Sequence, residues 1–581
     1  MARTTRILVA LVVVAALGGA LLLVRGTPGA APPALPAVAD LPARGGSLTA
    51  SLRSEPASYN RFVDQSAAGE VLSLLTQAPL VRVDRTTDRL EPWLAESWTR
   101  SDDGRTYTLR LRQGLTFSDG RPFSSADVVF SFAALYDPRV NAVLAPDTYA
   151  GGQPIRVEAP DPGTVVLRLA APSAAGLRLI DDVPMLPRHR LQKALDEGKF
   201  REAWSATVKL EDIAGLGPFV LTEHVPGQQL VFNRNPHYWR RDAAGTQLPY
   251  LDRLTIAVVG DQNAEALQMQ QGQIDLMANG EIRPEDIVGF RRLAAQGTVR
   301  LIDAGVGLDP NLLWFNLSAV GSSDPRTPWL RSRAFRQGVS CAIDRDAVVN
   351  AVYLGAAVPI YGPITPGNQK WFAPVRPACD HDLSKARDLF AAAGLSDSNG
   401  DGMLEDAAGV GARFSIITQQ GHTIRQRTAA VLQEQLRQAG LTVDVAGLDP
   451  GALFARWSRG EYDSIYFGVQ ANGTDPALMP QFWLSSGNFH FWNPRQPSPA
   501  TDWEKRIDEL FRQQAQSQTL SERQQLMTEA QAILVEELPA IYFVAPEVTI
   551  VTSTRVRNPQ AAPQIPQLLW SADTLADASA R

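Results

Sequence analysis

Alternating apolar and polar positions within residues 94–135 predict strand, turn, strand, turn and helix in that order. Residues 107–111 (YTLRL) alternate with the period of a strand that buries one face. Asp-Gly pairs on both sides supply turns, because glycine tolerates positive φ. Ser124, with Asp127 three residues later, predicts a capped helix that Asp137-Pro138 ends. The pattern indicates the edge of a mixed α/β domain.

A second pattern occurs twice in the chain. A predicted helix over 265–271 stops at Gly272, and another over 453–459 stops at Gly460. A strand follows each glycine, which is the usual chemistry of a loop from helix to strand. Two α/β units that end alike suit a protein of two comparable lobes. The length of 581 residues predicts roughly three or four domain-sized units.

The N-terminus predicts export. Arg3 and Arg6 precede an apolar run of 18 residues, Ile7–Val24, as in a secretory signal. That length is also at the lower limit for crossing a membrane, so residues 1–26 are either a cleaved signal or an uncleaved anchor. A Pro/Ala-rich linker, 27–44, follows without a lipid-attachment cysteine. We expect the protein in the periplasm or on the outer face of the cytoplasmic membrane.

Charge and motifs exclude several functions. The net charge of −6 argues against nucleic acid, whose binding proteins need a basic surface. The sequence has no GxSxG, P-loop or HExxH motif, so it predicts no enzyme, catalytic residue or cofactor. Residues 397–402 begin like a calcium loop, but Ala408 stands where the loop needs Glu, which favours a plain turn without metal. Cys341 and Cys379 leave open a disulfide or buried thiols.

The first pattern also closely resembles a family signature, that of the family 5 solute-binding proteins, the peptide- and nickel-type receptors of ABC importers. The matching residues are 95–98 (AESW), 101–104 (SDDG) and 127–132 (DVVFSF). Two further stretches, 215–239 and 312–367, follow the family pattern. The resemblance implies an α/β fold with two periplasmic-binding-protein-like lobes, of the large class with an extra domain. Mixed sheets and a ligand cleft between the lobes are expected.

The same resemblance implies a division of the folded chain. Lobe I would comprise 45–81, 209–304 and 540–581, the last with the C-terminal tail. The extra domain would be 82–208, and lobe II 305–539. Such a receptor, expected to be a monomer, captures a peptide or other polar solute between its lobes and delivers it to an ABC permease in the membrane. The alternatives are a membrane-tethered sensor on the same fold and a secreted hydrolase.

The resemblance also implies binding residues in the loop that contains Gly473 and Asp475. In dipeptide-binding relatives, an Asp three positions before that Asp holds the peptide ammonium, and this chain has Asn472 there. The Arg that pairs with the dipeptide carboxylate falls near Gln419. Both changes remove charge, which an ammonium or carboxylate needs when it is buried. A longer peptide held by its backbone or a neutral solute such as an oligosaccharide is therefore favoured, unless Arg425 or Arg427 replaces the lost cation.

Aromatic residues complete the predicted site. Trp371 and Trp483 lie in aromatic clusters and are predicted to line the cleft, where sugars and peptide side chains stack on such rings. Tyr59 and Asn60 occupy the first-lobe loop that commonly faces ligand in relatives.

Overall fold

A computed structural model describes residues 42–64, 66–318, 323–468, 473–494 and 496–580, without the side chains of 279–281. The predicted signal or anchor and most of the linker therefore lie outside the described residues. Within the described ranges, no helix combines the length and the apolar character that a membrane crossing requires.

The strands and helices follow one another as mixed α/β segments. The strands are β1 Ser47–Leu52, β2 Val81–Asp84, β3 Arg89–Pro92, β4 Ala95–Arg100, β5 Thr106–Leu111, β6 Arg156–Asp161, β7 Thr164–Arg168, β8 Phe219–Val225, β9 Gln229–Arg234, β10 Arg253–Val258, β11 Leu276–Glu281, β12 Val299–Val306, β13 Asn311–Phe315, β14 Ala357–Pro359, β15 Arg413–Gln419, β16 Thr442–Leu448, β17 Ser464–Gly468, β18 Ala540–Tyr542, β19 Val544–Ser553, β20 Val556–Arg557 and β21 Ala576–Asp577. The α-helices are α1 Ala67–Thr76, α2 Ser125–Tyr136, α3 Arg188–Asp196, α4 Gln262–Gln270, α5 Ile287–Ala295, α6 Thr327–Leu330, α7 Arg333–Ala342, α8 Arg345–Tyr353, α9 Leu383–Ala392, α10 Thr423–Gln438, α11 Pro450–Arg459, α12 Pro480–Trp483, α13 Asp502–Gln516 and α14 Leu520–Glu537.

The first lobe is built on an eight-stranded mixed sheet. Its order is β12-β19-β11-β1-β10-β9-β8, and β14 also pairs with β19. The central strand β1 runs parallel to both β10 and β11. Its alternating residues Leu48, Ala50 and Leu52 are buried, so this strand contributes to the main hydrophobic core.

The second lobe is built on a five-stranded sheet of order β16-β15-β17-β13-β18. Parallel pairing joins β15 to β16 and β17, whereas β13 is antiparallel to β17 and β18. Apolar residues pack on both faces of this sheet. On β13, for example, Leu313 belongs to one buried cluster and Leu312 to another.

The extra domain contains the four-stranded antiparallel sheet β4-β5-β7-β6 and helix α2. Tyr107, Leu109 and Leu111 of β5 are buried, as the alternating pattern predicts. Helix α2 begins after a capping box in which the Asp127 carboxylate accepts the backbone N–H of Ser124 at 2.9 Å. The predicted strand and capped helix are confirmed.

The chain passes between the two lobes at two places. The first crossing joins β12 to β13, and there the Gly307 N–H donates to the Pro546 carbonyl at 2.8 Å. The second crossing joins β18 to β19 at Phe543. We predicted a return to lobe I at 540, but β18 (540–542) pairs with β13 and so belongs to the second lobe's sheet. The chain therefore returns only after this strand is complete.

Cys341 and Cys379 form a disulfide, which decides between the two alternatives that the sequence left open. Cys341 lies near the end of α7 and is fully buried. The bond ties this helix to the segment that precedes α9.

Candidate ligand-binding cleft

Two neighbouring cavities lie where the lobes face each other. The first has a volume of about 230 Å³ and the second of about 220 Å³. Gly473, Thr474 and Leu478 line both of them, as does Asp147, so the segment 473–478 after β17 and the Asp147 side chain form the wall between them. Gly473 has φ +143°, a backbone conformation that suits glycine. This segment is the centre of the candidate site.

The first cavity is walled by both lobes and the extra domain and is strongly charged. Many of its charged groups are paired: Arg61 Nη2 lies 2.7 Å from Asp182, and Arg85 Nη2 lies 2.8 Å from Glu70. The Arg82 guanidinium carbon lies 3.7 Å from the centroid of the Trp93 ring. The cavity offers both donors and acceptors to a polar solute.

Two carboxyl groups of the first cavity have raised pKa values. Burial and the nearby charge of Asp182 raise the pKa of Asp181 to about 7. The same two causes raise the pKa of Asp147 to about 6. A cationic or hydrogen-bond-donating group of a solute would favour the ionised form of these carboxyls.

Asp88 links the extra domain to the second lobe across the cleft. It lies at the tip of the β2–β3 hairpin, and its carboxylate accepts the Thr474 hydroxyl at 2.5 Å. The same carboxylate lies 3.2 Å from Lys370 Nζ and 2.9 Å from Arg178 Nη1. Burial opposes its ionisation, but the hydrogen bond from Thr474 and the charge of Arg178 outweigh burial and lower the pKa of Asp88. These contacts hold the two sides of the cleft together.

The second cavity is mainly apolar and aromatic. Phe482, Trp483, Phe491 and Tyr542 contribute rings, and the first crossing segment contributes residues 308–310. Short helix α12 carries Phe482 and Trp483, whose rings pack edge to face with centroids 5.1 Å apart. The cavity therefore lies beside the first crossing and against the sheet of the second lobe.

Of the predicted site residues, Gly473 and Trp483 line cavities, whereas Asp475 and Trp371 have protein partners. Arg523 Nη1 lies 3.1 Å from Asp475 Oδ2, and the Arg523 guanidinium lies 4.6 Å from the centroid of the Trp371 ring. Asp475 and Trp371 are both almost fully buried. The structure therefore places these two residues in the internal support of the 473–478 segment.

Tyr59 and Asn60 line neither cavity. The Tyr59 hydroxyl lies 2.5 Å from His224 Nδ1, and burial with the charge of Glu55 raises its pKa to about 12. Asn60 is fully buried, where its side-chain amide donates to the Phe200 carbonyl at 3.2 Å. Both side chains stabilise the first-lobe loop itself.

Gln419, at the end of β15, accepts a hydrogen bond from Arg425, and neither residue lines the two cavities. Arg425 also donates to Asn311 at 2.8 Å and lies 3.9 Å from the centroid of the Phe467 ring. Burial lowers its pKa to about 10, so the guanidinium stays charged at neutral pH. The predicted residue Asn472 lies outside the described residues.

Asp88, Thr474 and Tyr542 were not among the site residues predicted from the sequence. Thr474 lies between the predicted residues Gly473 and Asp475, so its position in the loop could have indicated it. Asp88 belongs to a hairpin of another domain, and its contact with Thr474 joins residues 386 positions apart. Tyr542 ends a strand whose pairing partner could not be known from the sequence. No local pattern indicates such contacts.

The acidic turn predicted to lack metal uses its carboxylates internally. Asp397 accepts the N–H groups of Gly400 at 2.7 Å and Gly402 at 3.0 Å. The side-chain oxygens of Asp397, Asp401 and Glu405 come within 4.8 Å of one another. A group of this kind could also hold a metal ion, so the plain turn stays a prediction.

Two lobes with cavities between them define the fold class of the periplasmic solute-binding proteins. The chain belongs to the bacterial extracellular solute-binding proteins, family 5, whose model matches residues 89–491. It is 25% identical to a probable ABC transporter-binding protein of Deinococcus radiodurans, with 88% of each chain covered. It is 25% identical to di/tripeptide-binding protein 1 of Pseudomonas aeruginosa over 84% of this chain and 85% of that one. The solved substrate-binding protein CtaP of Listeria monocytogenes has the same fold, with TM-score 0.75, 24% identity, and coverage of 92% of this chain and 100% of that one.

Proposed function

We propose that the protein is an exported receptor of an ABC importer that captures a polar solute, a peptide being the first candidate, in the cleft. The observation that carries the proposal is the first cavity, to which both lobes and the extra domain contribute. Thr474, which lines this cavity, donates its hydroxyl to Asp88 and so ties the second lobe to the β2–β3 hairpin. Membership of the family and the relatives' names support the transport role.

The proposed mechanism is ligand-stabilised closure without covalent chemistry. A solute that contacts both walls binds the closed arrangement better than the open one and shifts the population towards closure. The crossings at 307–310 and at Phe543 connect the lobes and are the expected hinge. The closed form would then dock on a membrane permease as a monomer. Release of the solute would accompany opening of the contacts at Asp88.

Charge in the cleft supports a peptide. The first cavity combines the Asp181 carboxyl group with paired arginines, an arrangement that can bind an ammonium and backbone amides. Arg425 stands beside Gln419, where dipeptide-binding relatives have their carboxylate-binding arginine. A neutral oligosaccharide is the second candidate, because stacking rings and hydrogen-bonding side chains suit sugars as well.

Export and the domain division belong to the same proposal. Residues 1–26 would direct export and then be cleaved or remain as an anchor. The division into lobe I, extra domain and lobe II follows the three main sheets, with the end of lobe II moved to Phe543.

The proposal is tested by identifying the solute that the protein carries. The protein is purified gently and denatured, and the released small molecules are identified by mass spectrometry. The emptied, refolded protein is then titrated with the same compound while small-angle scattering follows its size. We expect mixed peptides to be released and the radius of gyration to fall on rebinding. Absence of a released solute, with no thermal shift from peptide or oligosaccharide panels, would contradict the proposal.

A further inference from the structure

We propose that the second cavity is a subsite for an uncharged aromatic ring of the solute that ends in a hydrogen-bonding group, and that the Tyr542 hydroxyl is the partner of that group. The inference rests on the proposed function, which it deepens by naming the chemical class of one part of the solute. It is carried by the shape of the cavity, the polar groups in its wall and its position beside the first cavity.

Tyr542 is the main observation. The residue is only 4% exposed and lines the second cavity. Ile541 and Phe543 belong to the buried cluster on the other face of the sheet, so the alternation of β18 directs Tyr542 to the cavity side. In the part of the chain that the structure describes, its hydroxyl has no hydrogen-bond partner, and burial alone raises its pKa. Most buried polar groups are paired, so this hydroxyl is available to a ligand.

Trp483 contributes its ring to the same wall. It lines the cavity and is 2% exposed, but its indole nitrogen is enclosed by protein. The Tyr542 hydroxyl, which both donates and accepts, is therefore the group that a phenol hydroxyl of the solute would meet.

The remaining wall selects an uncharged ring. Among the described residues that line the second cavity, none is Lys, Arg or His. Its two carboxylates, Asp147 and Asp309, already have partners, and Leu312, Ile364 and Phe482 are among its apolar residues. A buried charge without an opposite charge is strongly unfavourable. A cavity of about 150 Å³ lined by apolar side chains holds a benzene ring, so 220 Å³ is enough for a substituted ring.

The two cavities can be occupied by one molecule. Gly473, Thr474 and Leu478 line both cavities, as does Asp147, so the segment 473–478 and the Asp147 side chain lie between them. A solute with its polar part in the charged first cavity would reach the second cavity past Gly473, which has no side chain. The expected solute is therefore amphipathic, with a polar body and an aromatic end.

The test uses two probes of the same shape, p-cresol and toluene, which differ by one hydroxyl group. Their dissociation constants for the full-length protein are measured by saturation-transfer NMR titration. We expect p-cresol to bind about two- to tenfold more tightly than toluene, the range of one net hydrogen bond. Tyr542→Phe keeps the ring and should make the two probes bind equally. Continued binding of toluene shows that the variant keeps the cavity.

Matched variants complete the design. Tyr466→Phe changes a buried tyrosine of the same sheet that lines neither cavity, and it should keep the preference for p-cresol. Ile364→Trp should fill the cavity and remove binding of both probes. Equal affinities in the wild type, a preference that survives in Tyr542→Phe, or no binding of either probe would each overturn the inference.

The probe titration can fail or succeed independently of the test for a carried solute. The probes need neither lobe closure nor a permease. If p-cresol binds with a preference that depends on Tyr542 but no solute is carried by the purified protein, the subsite stands and the receptor proposal fails. If mixed peptides are released but neither probe binds, the receptor stands and the aromatic subsite is refuted.

Discussion

A buried ion pair fixes the 473–478 segment to helix α14, and breaking it is the most informative perturbation. The Asp475 and Arg523 side chains are 3% and 7% exposed, and the Arg523 guanidinium contacts both carboxylate oxygens. Asp475 also accepts the Ala477 N–H at 2.9 Å. The substitution Asp475→Asn keeps the size and shape of the side chain but removes its charge. The Arg523 cation is then buried without its carboxylate partner.

The expected magnitude follows from this burial. Removing one partner of a buried ion pair costs about 3–5 kcal/mol of unfolding free energy. An exposed pair contributes about 0–1 kcal/mol. Arg413 and Asp444, with side chains 64% and 51% exposed, form such a pair on the second lobe's sheet. Asp444→Asn is therefore the matched control, and we expect it to lose less than about 1 kcal/mol.

Guanidinium unfolding followed by tryptophan fluorescence measures the loss of stability, and calorimetric titration with the released solute measures binding by the folded variant. We expect a large loss of stability for Asp475→Asn. The double variant Asp475→Asn/Arg523→Gln should recover part of it, because no charge remains buried without a partner. An Asp475→Asn protein as stable as the wild type that no longer binds the solute would refute the reasoning, since Asp475 would then act as a solute contact.

Three further perturbations test the disulfide, a buried acid and the closure contact. Replacing Cys341 and Cys379 by Ser should lower the unfolding free energy by about 4 kcal/mol, because a separation of 38 residues closes a loop of that entropy. Reductant should destabilise the wild type to the same degree and leave the variant unchanged. A wild type whose stability does not respond to reductant would contradict this prediction. Burial raises the pKa of Glu504, but the hydrogen bond and charge of His490 outweigh it and lower the pKa to about 2. Because this folded-state value lies below the ordinary 4.5, the Glu504 carboxylate should contribute about 3 kcal/mol that is lost as pH falls from 4.5 to 2. In acid unfolding Glu504→Gln should lack this part of the loss, and equal losses in the wild type and the variant would refute the assignment. Asp88→Asn should weaken closure and raise the radius of gyration of the solute-bound protein in scattering, whereas an unchanged radius and affinity would exclude Asp88 as a closing contact.

Local elements of this fold could be predicted because neighbouring residues determine them. The strand 106–111 and the helix after Ser124 depend on alternation, glycine turns and a capping box, all of which lie within a few residues. The family resemblance then supplied the arrangement of lobes, which local patterns could not. The boundary near 540 was placed too early because the pairing of β18 with β13 joins segments more than 200 residues apart.

The individual site residues were harder to predict than the loop that carries them. Gly473 and Trp483 line cavities, but Asp475 and Trp371 are engaged by Arg523, a residue on a distant helix. A sequence motif gives the position of an aspartate in the chain, but it does not show which cation pairs with that aspartate in the folded protein. Tyr542 was missed for the same reason, because its face follows from strand pairing.

Arg425 changes how the loss of charge at Gln419 should be interpreted. From the sequence, a neutral residue there argued against a ligand carboxylate. The structure places the Arg425 guanidinium against the Gln419 side chain and within 3.2 Å of the Gly468 carbonyl, at the end of the strand that leads into the binding loop. Its neighbour Arg427 instead is half exposed and lies 3.7 Å from Glu285. The oxygens shown to accept from Arg425 are neutral, so none of these partners neutralises its charge. Because Arg425 lines neither cavity and all three of its guanidinium nitrogens already donate to protein, a solute carboxylate would reach this cation only after its side chain had moved.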